Sequence, residues 1–454
     1  MRMTMAELAT IGGVPLPEGL APELLATGLS TDSRLVEPGQ IFLGLKGDKY
    51  DGADYAAAAV AAGAVAVILS RPVAGLEGKQ FLVEDTLRVL GKIASAWRRK
   101  LDVNVAGVTG SAGKSTVKDL LASVCAQAGP TVATIATENN EIGVPQTLLR
   151  LTPDDRFCVV EFGMRGRGQI RELTEIARPD IGLITCIGEA HIGLLGSREA
   201  IAESKAEMLP LLPAGGVAVL PADDFFYPLL RGMCHTRVLS FGLSVGADVR
   251  ALEITFESLA GTRARVALGE QTIYLTVPLP GRHNLSNALA AAAAGLALGC
   301  TPDQIIAGIE GYTGLQMRGE IMRGPRGSTI INDAYNANPT SMVATLQMLR
   351  NAPGRKILVF GDMLELGDAV EAAHSRVGEL AAEAGVSLLV TVGAMAALAA
   401  EVAAGRGVEV HLCTTPEEAA EELHPHLREG DTVLVKASRG TQLERTVKGL
   451  HDAQ

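Results

Sequence analysis

Short apolar runs separated by helical stretches recur along this chain, and they predict alternating strands and helices. In the first hundred residues, the runs at 41–45 and 64–70 predict strands. The segments 53–62 and 86–100 predict helices, the second of which leads toward a glycine-rich turn. This alternation indicates a small α/β unit at the start of the chain.

The middle of the chain contains more strands. Near-continuous apolar runs at 131–136, 157–163 and 181–187 are typical of parallel strands that are covered on both faces. Between about 248 and 278 the pattern alternates without helices, which predicts a hairpin or a small antiparallel piece. The alanine-rich run 286–298 predicts a buried helix. We therefore expect a second, larger α/β unit here.

After Gly314 a third series of strands and helices begins. Helical stretches alternate with five predicted strands, which lie at 329–333, 356–361, 387–392, 408–413 and 432–436. This cadence predicts a doubly wound, Rossmann-like sheet. The whole pattern predicts an α/β protein of three domains, which we place at residues 1–100, 101–314 and 315–454.

The composition fits this organisation. A chain of 454 residues is too long for one ordinary core, and its 47% apolar and 20% charged residues are typical of globular proteins. The net charge of −11 argues against a broad nucleic-acid surface, so anionic ligands must be held by local cations and helix N-termini. No apolar run is long enough to span a bilayer, and the N-terminal residues do not resemble a signal peptide.

The cysteines give no sign of disulfides or of a metal site. They are scattered along the chain, without the spacing of metal ligands, at positions Cys125, Cys158, Cys186, Cys234, Cys300 and Cys413. Such usage fits a reducing cytoplasm. We expect a cytoplasmic monomer that binds neither nucleic acid nor membranes.

The most informative segment is a glycine turn between a predicted strand and a predicted helix. Its backbone N–H groups can converge on phosphate oxygens, and the helix that follows directs its positive end to the same place. Lys114 can reach the outer phosphates, and the Ser115 hydroxyl can hold magnesium. The predicted nucleoside triphosphate contacts are Thr109, Gly110, Ser111, Ala112, Gly113, Lys114, Ser115 and Thr116.

The spacing of this turn differs from the common phosphate loop. That pattern has a glycine five residues before Gly113, where this chain has Val108. The segment from Gly110 to Ser115 instead follows a Gly-x-x-Gly-Lys-Ser pattern. The alternative interpretation is an ordinary glycine turn, which the combination of Gly, Lys and Ser after a strand disfavours.

Three further side chains are candidates for chemistry at strand ends or near them. Glu161 ends a predicted strand beside the phosphate loop, where a magnesium ligand belongs, although it could be a solvated acid. His191 follows another strand end, where ligands gather, but a histidine in a turn often has no such role. Lys205 lies between Glu203 and Glu207 on a predicted helix, so an exposed lysine in ion pairs is its default interpretation.

Three polar loops also adjoin predicted strands or helices. The segment 281–287, Gly-Arg-His-Asn-Leu-Ser-Asn, precedes the alanine-rich helix and offers amide and imidazole groups, unless Asn284 or Ser286 only caps that helix. The segments 333–339 and 361–367 leave predicted strands of the third domain, where a site would form.

Taken together and in order, these segments resemble the Mur ligases, the ATP-dependent enzymes that build the peptide stem of bacterial peptidoglycan. The first domain carries Thr-Asp-Ser-Arg at 31–34 and Leu-Lys-Gly at 45–47, which resemble the family's UDP-binding motifs. The segments 139–145, 333–339 and 361–367 resemble the member that adds D-alanyl-D-alanine. Lys-Ala-Ser-Arg at 436–439 resembles the family's Lys-Gly-Ser-Arg, with alanine in place of glycine.

The resemblance implies roles for individual residues. It implies that Lys205 is carbamylated and that this carbamate, Ser115, Glu161 and His191 hold magnesium. It implies that the nucleotide is also contacted by Asn284, Asn287, Arg318, Asp333, Tyr335 and Asn336. The substrates are expected to contact Thr31, Asp32, Ser33, Arg34, Lys46, Asn139, Asn140, Ser438 and Arg439.

The implied activity is an ATP-dependent amide ligation with magnesium, in which D-alanyl-D-alanine is joined to UDP-N-acetylmuramoyl-tripeptide through an acyl phosphate. Lys114, Glu161, His191 and Lys205 are the expected catalytic residues. A sister ligase that adds a diamino acid or a folate glutamate is one alternative, but the segment 333–339 disfavours it. A P-loop switch or motor ATPase that forms no covalent product is the other alternative, and such a protein has no need of the first domain.

Overall fold

The structure is a computed structural model that describes residues 1–47 and 49–452. In this part of the chain, three larger sheets follow one another in sequence, and a short antiparallel ribbon lies near the start. The predicted α/β class and the three-domain architecture are confirmed. The domain borders near residues 100 and 314 stay predictions, because the sheets alone do not define them.

The first sheet is small and parallel. Its region contains β1 (Met3–Thr4), α1 (Met5–Gly12), β2 (Leu25–Ala26), β3 (Leu29–Ser30), β4 (Ile41–Leu43), α2 (Ala56–Ala61), β5 (Ala66–Leu69), β6 (Gln80–Leu82) and α3 (Thr86–Arg98). The sheet order is β3-β4-β5-β6, and β1 pairs with β2. Asp85 caps α3 by accepting a hydrogen bond from the Arg88 N–H. We call the parts of the chain near residues 1–100, 101–314 and 315–454 the first, second and third regions. The indole N–H of Trp97 donates to the Leu151 carbonyl over 2.9 Å, which ties α3 to the second region.

The central sheet carries the phosphate loop. Its strands are β7 (Asn104–Thr109), β8 (Thr131–Ala133), β9 (Phe157–Glu161), β10 (Ile181–Ile184), β11 (Val217–Pro221), β12 (Arg237–Gly242), β13 (Val249–Ser258), β14 (Gly261–Leu268) and β15 (Gln271–Val277). They are ordered β15-β14-β13-β12-β11-β10-β7-β9-β8. The six neighbouring strands β12, β11, β10, β7, β9 and β8 are parallel. The strands β13, β14 and β15 pair with one another in antiparallel fashion and extend the sheet beyond β12. The antiparallel piece predicted between 248 and 278 is therefore present.

Helices cover the central sheet on both faces. They are α4 (Lys114–Ala126), α5 (Gly143–Leu149), α6 (Gln169–Ala177), α7 (Ile192–Leu195), α8 (Arg198–Ala206), α9 (Tyr227–Gly232), α10 (Arg282–Ala297) and α11 (Pro302–Glu310). The alanine run of α10 is fully buried between α4 and the sheet, as predicted. Small side chains there let α4, which begins at the phosphate loop, pack close to its neighbours.

The third sheet is parallel apart from one edge strand. Its region contains β16 (Glu320–Arg323), β17 (Thr329–Asn332), α12 (Pro339–Arg350), β18 (Lys356–Gly361), α13 (Val370–Glu383), β19 (Val386–Val392), α14 (Ala396–Ala404), β20 (Glu409–Cys413), α15 (Pro416–Leu423), β21 (Thr432–Lys436) and α16 (Glu444–Asp452). The order is β16-β17-β21-β18-β19-β20, with β16 antiparallel to β17. Apolar clusters fill both faces, as expected for a doubly wound sheet.

Short 3₁₀ turns complete the described helices. They lie at Ser33–Leu35, Gly52–Tyr55, Glu77–Lys79, Leu209–Leu211, Pro325–Gly327, Gly367–Ala369, His424–His426 and Arg439–Thr441. The helix predicted at 53–62 is thus a 3₁₀ turn followed by α2. No helix of the described residues is both long and apolar enough to cross a membrane.

The largest correction to the predicted elements concerns the start of α10. This helix was expected from residue 286, but it begins at Arg282, because Gly281 takes a positive φ of 87° and lets the chain turn directly into the helix. Asn284 therefore lies on the first turn of α10 and not in a loop before it, and Asn287, which the predicted helix already included, lies on the second turn. The strands that were not predicted are β1, β2, β3, β6, β11, β12 and β16. Of these, β16 is a short edge strand with exposed alternate residues, which gives a weak sequence signal.

A glycine on α11 controls how closely that helix approaches α4. A Cβ atom at Gly308 would collide with the backbone of Val124 on α4. Gly308→Ala should therefore force the two helices apart and lower the free energy of unfolding by about 1–3 kcal/mol. Denaturant unfolding of the two proteins measures this loss.

The matched control is Gly232→Ala at the end of α9, where a Cβ atom would meet open space. This substitution should change the free energy of unfolding by no more than about 0.5 kcal/mol. Equal unfolding midpoints for the two alanine variants would contradict the close packing of α4 and α11.

Candidate active site

The phosphate loop is fixed by hydrogen bonds to the loop that follows β10. The Ser111 N–H donates to the Cys186 carbonyl over 2.9 Å, and the Ser111 hydroxyl accepts from the Gly188 N–H over 2.8 Å. The Thr185 hydroxyl donates to the Ala112 carbonyl over 2.5 Å. Gly113 has a φ of 78° and faces the Asn287 amide so closely that a Cβ atom would not fit. These contacts hold the loop in one shape.

Lys114 begins α4 and folds back over this loop. Its Nζ donates to the Gly110 carbonyl over 2.9 Å. Burial lowers the pKa of Lys114 below its usual value, although the Glu161 carboxylate opposes the shift. An ammonium group held so close to the loop is placed to meet the outer phosphates of a nucleotide.

Glu161 meets Ser115 at the carboxyl ends of two neighbouring strands. Glu161 is 1% exposed, and β9, which it ends, pairs with β7 in parallel register. Its Oε2 accepts a hydrogen bond from the Ser115 hydroxyl over 2.6 Å, and its Oε1 accepts from the Asn139 side-chain amide over 2.7 Å. The expected hydroxyl–carboxylate pair is thus assembled, and Asn139, predicted to contact substrate, lies beside it.

His191 has a partner that the sequence did not reveal. It immediately precedes α7 and has a φ of 65°, and its Nδ1 lies 2.5 Å from Oε2 of Glu365, in the loop after β18. The Gly193 N–H also donates to the Glu365 carbonyl over 3.1 Å. Burial lowers the pKa of His191, while Glu365 opposes that shift. His191 therefore joins the second region to the third.

Lys205 is not the exposed lysine that its neighbours suggested. The side chain of Lys205 is 2% exposed on α8. Its flanking acids turn elsewhere: Glu203 pairs with Arg167 over 3.1 Å, and Glu207 accepts from the N–H groups of Gly168 and Arg171. The default interpretation fails because an i, i+2 spacing places these acids on other faces of the helix than Lys205.

The chemistry of Lys205 is set by its isolation. Burial lowers its pKa well below the usual value, and the positive charge of Lys114 acts in the same direction. Within the described residues, the Lys205 amine donates no hydrogen bond to a protein acceptor and forms no ion pair. A buried amine without a counter-ion tends to be neutral, and a neutral amine is a nucleophile.

The third region contributes the opposite wall of the site. Lys436 Nζ donates to Asp333 Oδ2 over 2.6 Å and to the Asn336 carbonyl over 2.9 Å, which fixes the loop at 333–339. The guanidinium of Arg318 stacks over the Tyr335 ring at 4.0 Å from its centre. Lys436 was quoted within a motif but not singled out, although it is the cation that orders these predicted nucleotide contacts.

Several hydrogen bonds besides those of Glu365 join this wall to the central region, and the Glu189 N–H donates to the Thr340 hydroxyl over 3.2 Å. The Tyr335 hydroxyl donates to Thr137 over 2.8 Å, and the Asn338 amide donates to the Ser111 carbonyl over 3.3 Å. In the loop after β21, the Ser438 hydroxyl accepts from the Leu364 N–H over 2.9 Å. Ala437, which replaces the family's glycine, is fully buried and faces Gly361, where only a glycine leaves room for its methyl group.

Most of the predicted residues surround one cavity of about 1300 Å³ between the second and third regions. Its lining includes these predicted residues: Ser111, Ala112, Gly113, Lys114, Ser115, Thr116, Asn139, Asn140, Glu161, His191, Lys205, Asn284, Asn287, Arg318, Asp333, Tyr335, Asn336, Ser438 and Arg439. Asn284 and Asn287 are joined by a 3.0 Å hydrogen bond on α10. The lining also contains Glu365 and His283. Burial lowers the pKa of His283 to about 4.

The remaining predicted residues lie elsewhere. Thr109 is fully buried and donates to the Phe162 carbonyl, and Gly110 receives Lys114; neither is among the described residues that line the cavity. The same holds for the predicted substrate contacts of the first region, Thr31, Asp32, Ser33, Arg34 and Lys46. Asp32 and Arg34 form an ion pair at 2.6 Å. Thr31 accepts a 2.8 Å hydrogen bond from Gln146 on α5.

Comparisons with known proteins agree with this architecture. Three family models match the chain. The model described as "Mur ligase family, catalytic domain" matches residues 26–98, "Mur ligase middle domain" matches residues 108–295, and "Mur ligase, glutamate ligase domain" matches residues 317–439. The UDP-N-acetylmuramoyl-tripeptide–D-alanyl-D-alanine ligase of Synechocystis is 39% identical over 95% of this chain and 93% of its own length.

Solved structures give the same result. The crystal structure of MurF from Acinetobacter baumannii has a TM-score of 0.92 and 32% identity, covering 100% of this chain and 99% of its own. MurF ligase from Thermotoga maritima, solved in complex with ADP, has a TM-score of 0.83 and 27% identity, covering 94% and 98%. Sequence identity, coverage and fold agree along nearly the whole chain, and the chain therefore belongs to the Mur ligase family.

Proposed function

We propose that this chain uses ATP to join D-alanyl-D-alanine to UDP-N-acetylmuramoyl-tripeptide by an amide bond, which completes the peptide of a peptidoglycan precursor. The observation that carries the proposal is the single cavity in which the phosphate loop, Glu161 and the loop at 333–339 face one another. The curated relative that is 39% identical bears the name of this ligase. The ADP complex of a MurF with the same fold supports a nucleotide at this site.

The work divides among the three parts of the chain. Residues 1–100 hold the uridine nucleotide of the substrate through Thr31, Asp32, Ser33, Arg34 and Lys46. Residues 101–314 hold ATP and magnesium. Residues 315–454 close over the nucleotide with Arg318 and Asp333 and present the dipeptide. Asn139, Asn140, Ser438 and Arg439 line the cavity where the peptide ends would meet.

The oxygen donors at the phosphate loop fit magnesium. Ser115 Oγ and Glu161 Oε2 are hard oxygen atoms 2.6 Å apart, and Glu161 is buried beside the cavity. We assign the metal to Ser115, Glu161, His191 and Lys205. When bound there, the ion neutralises phosphate charge during phosphoryl transfer. Because its Nδ1 is held by the Glu365 carboxylate, His191 has Nε2 left to take part.

Groups of the protein support the activation of the tripeptide carboxylate by ATP. A carboxylate is a poor electrophile, because its leaving group would be oxide. Transfer of the γ-phosphoryl group of ATP to it makes an acyl phosphate, from which the dipeptide amine displaces phosphate. Lys114 offsets the charge of the two anions that meet in this step, and the backbone N–H groups from Ser111 to Lys114 hold the nucleotide phosphates.

Carbamylation of Lys205 adds an anion to the cavity near Lys114. A neutral Lys205 amine attacks carbon dioxide, its nitrogen forms a bond to carbon, and one proton is released to water. The product has a carbamate in place of an uncompensated amine, and its oxygens suit magnesium better than a nitrogen does. Burial next to Lys114 supports the modification, because the carbamate charge then faces a cation.

The substrates that phosphate release requires distinguish this proposal from the two alternatives. Phosphate release should require both UDP-N-acetylmuramoyl-tripeptide and D-alanyl-D-alanine, since the amine acts only after the acyl phosphate forms. The measurement supplies ATP with tripeptides containing lysine or diaminopimelate, varies the amine, and identifies products by mass. Rapid ATP hydrolysis without either substrate would favour an ATPase, and ligation of a free diamino acid would favour a sister ligase.

Lys114→Ala should remove the charge that stabilises phosphoryl transfer. We expect a loss of about a thousandfold or more in ligation rate, measured as phosphate release in the presence of both substrates. The exposed lysine Lys448 on α16 provides the matched control, and Lys448→Ala should keep the normal rate. A folded Lys114→Ala protein with a near-normal rate would refute the role of the phosphate loop.

Lys205→Ala should remove the carbamate and most of the activity. Short carboxylates such as formate or acetate at millimolar concentration should restore part of the rate, because they can supply oxygens in the space that the side chain leaves. The unmodified protein should also lose rate in buffer stripped of carbon dioxide and regain it with bicarbonate. Full activity of Lys205→Ala, or a rate that ignores carbon dioxide, would rule out the modification.

A further inference from the structure

Two histidines and two carboxylates cluster at the edge of the third sheet. Glu409 and His411 lie two residues apart on the edge strand β20, so their side chains share one face of the strand. Glu422 lies on α15, and His426 lies in the turn that follows it. Among the described residues, this group has no member in the lining of the active-site cavity. Its chemistry is therefore separate from the ligation reaction.

The distances in this cluster are close to those of a metal site. Oε1 of Glu409 lies 3.3 Å from Nε2 of His411 and 4.0 Å from Nδ1 of His426. One ligand atom from each of these three residues lies within 4.8 Å of the others. A tetrahedral ion with bonds of about 2.0–2.1 Å would place its ligands roughly 3.4 Å apart. Small side-chain rotations are enough to close the site.

Glu422 orients one of the two imidazoles. Nδ1 of His411 lies 2.6 Å from Oε1 of Glu422, so this nitrogen can donate its proton to the carboxylate. The lone pair of Nε2 then points toward Glu409. A carboxylate that fixes the tautomer of a histidine in this way is a regular companion of metal-binding imidazoles. The centres of the His411 and His426 rings are 4.9 Å apart with 67° between the ring planes, so both imidazoles lie beside Glu409.

We propose that Glu409, His411 and His426 bind one divalent cation of the zinc class, with Glu422 as a positioning residue. Two imidazoles and one carboxylate suit zinc, whereas magnesium and calcium prefer oxygen donors alone. The side chains of His411 and His426 are 23% and 36% exposed, so the ion can enter and water can fill the fourth position. The ion would tie β20 to the turn after α15 and so stabilise the third domain.

The test uses untagged protein and Zn²⁺ as the probe, with magnesium in large excess to occupy oxygen sites. Calorimetry should find one zinc ion per chain, and zinc should raise the Tm by a few degrees. His411→Asn and His426→Asn should each weaken zinc binding at least tenfold and abolish the rise in Tm. Glu422→Gln should weaken binding by about tenfold or more. His424→Asn, in the same turn but outside the cluster, should bind zinc as the unmodified protein does.

Two further measurements test whether the variants fold and whether the bound ion is tetrahedral. The His411 and His426 variants should ligate at the normal rate in magnesium alone, which shows that they fold. Cobalt(II) added to the unmodified protein should give the strong visible bands of a tetrahedral site, and zinc should remove them. Zinc binding that is unchanged in both histidine variants, or the absence of saturable binding and of cobalt bands, would overturn the proposal and leave the cluster as surface ion pairs.

Discussion

The burial of positive charge beside one carboxylate is the constraint on which this site depends. Lys114 and Lys205 line the same cavity; burial lowers the pKa of both, and the positive charge of Lys114 lowers the pKa of Lys205 further. Glu161 is the acid that faces Lys114, but its two oxygens are already used by Ser115 and Asn139. The two buried lysines thus share one buried carboxylate that is already hydrogen-bonded, and anionic phosphates stabilise their charged forms on binding.

The contacts between the two walls of the cleft determine how readily it can close. Its two walls meet through polar contacts such as Tyr335 with Thr137 and His191 with Glu365, and Ile192 of α7 packs against the apolar core of the third region. Contacts of this kind are modest in free energy and readily exchanged. A ligand that bridges both walls can therefore bias the domains toward closure, because its binding energy exceeds that of the contacts it replaces.

The sequence could predict what local pattern controls. The phosphate loop, the α/β class and the strand-end position of Glu161 all followed from apolar runs, glycines and a Lys-Ser pair. It could not predict the partner of His191, because Glu365 lies 174 residues away and reaches it only through tertiary packing. Nor could it show that Lys205 is buried, since helical spacing identifies a face of a helix but not what covers it. The roles of the individual site residues stay predictions.

The position of the site follows from strand order, which the sequence also leaves open. β7 lies between β10 and β9, so the chain reverses its direction of winding at that strand. In open parallel sheets such a reversal leaves a crevice at the carboxyl ends of the neighbouring strands. Glu161 ends β9, the phosphate loop leaves β7, and the loop after β10 carries His191. Three segments distant in sequence thus converge because the topology of the sheet brings their ends to one edge, and the third domain only has to cover a crevice that already exists.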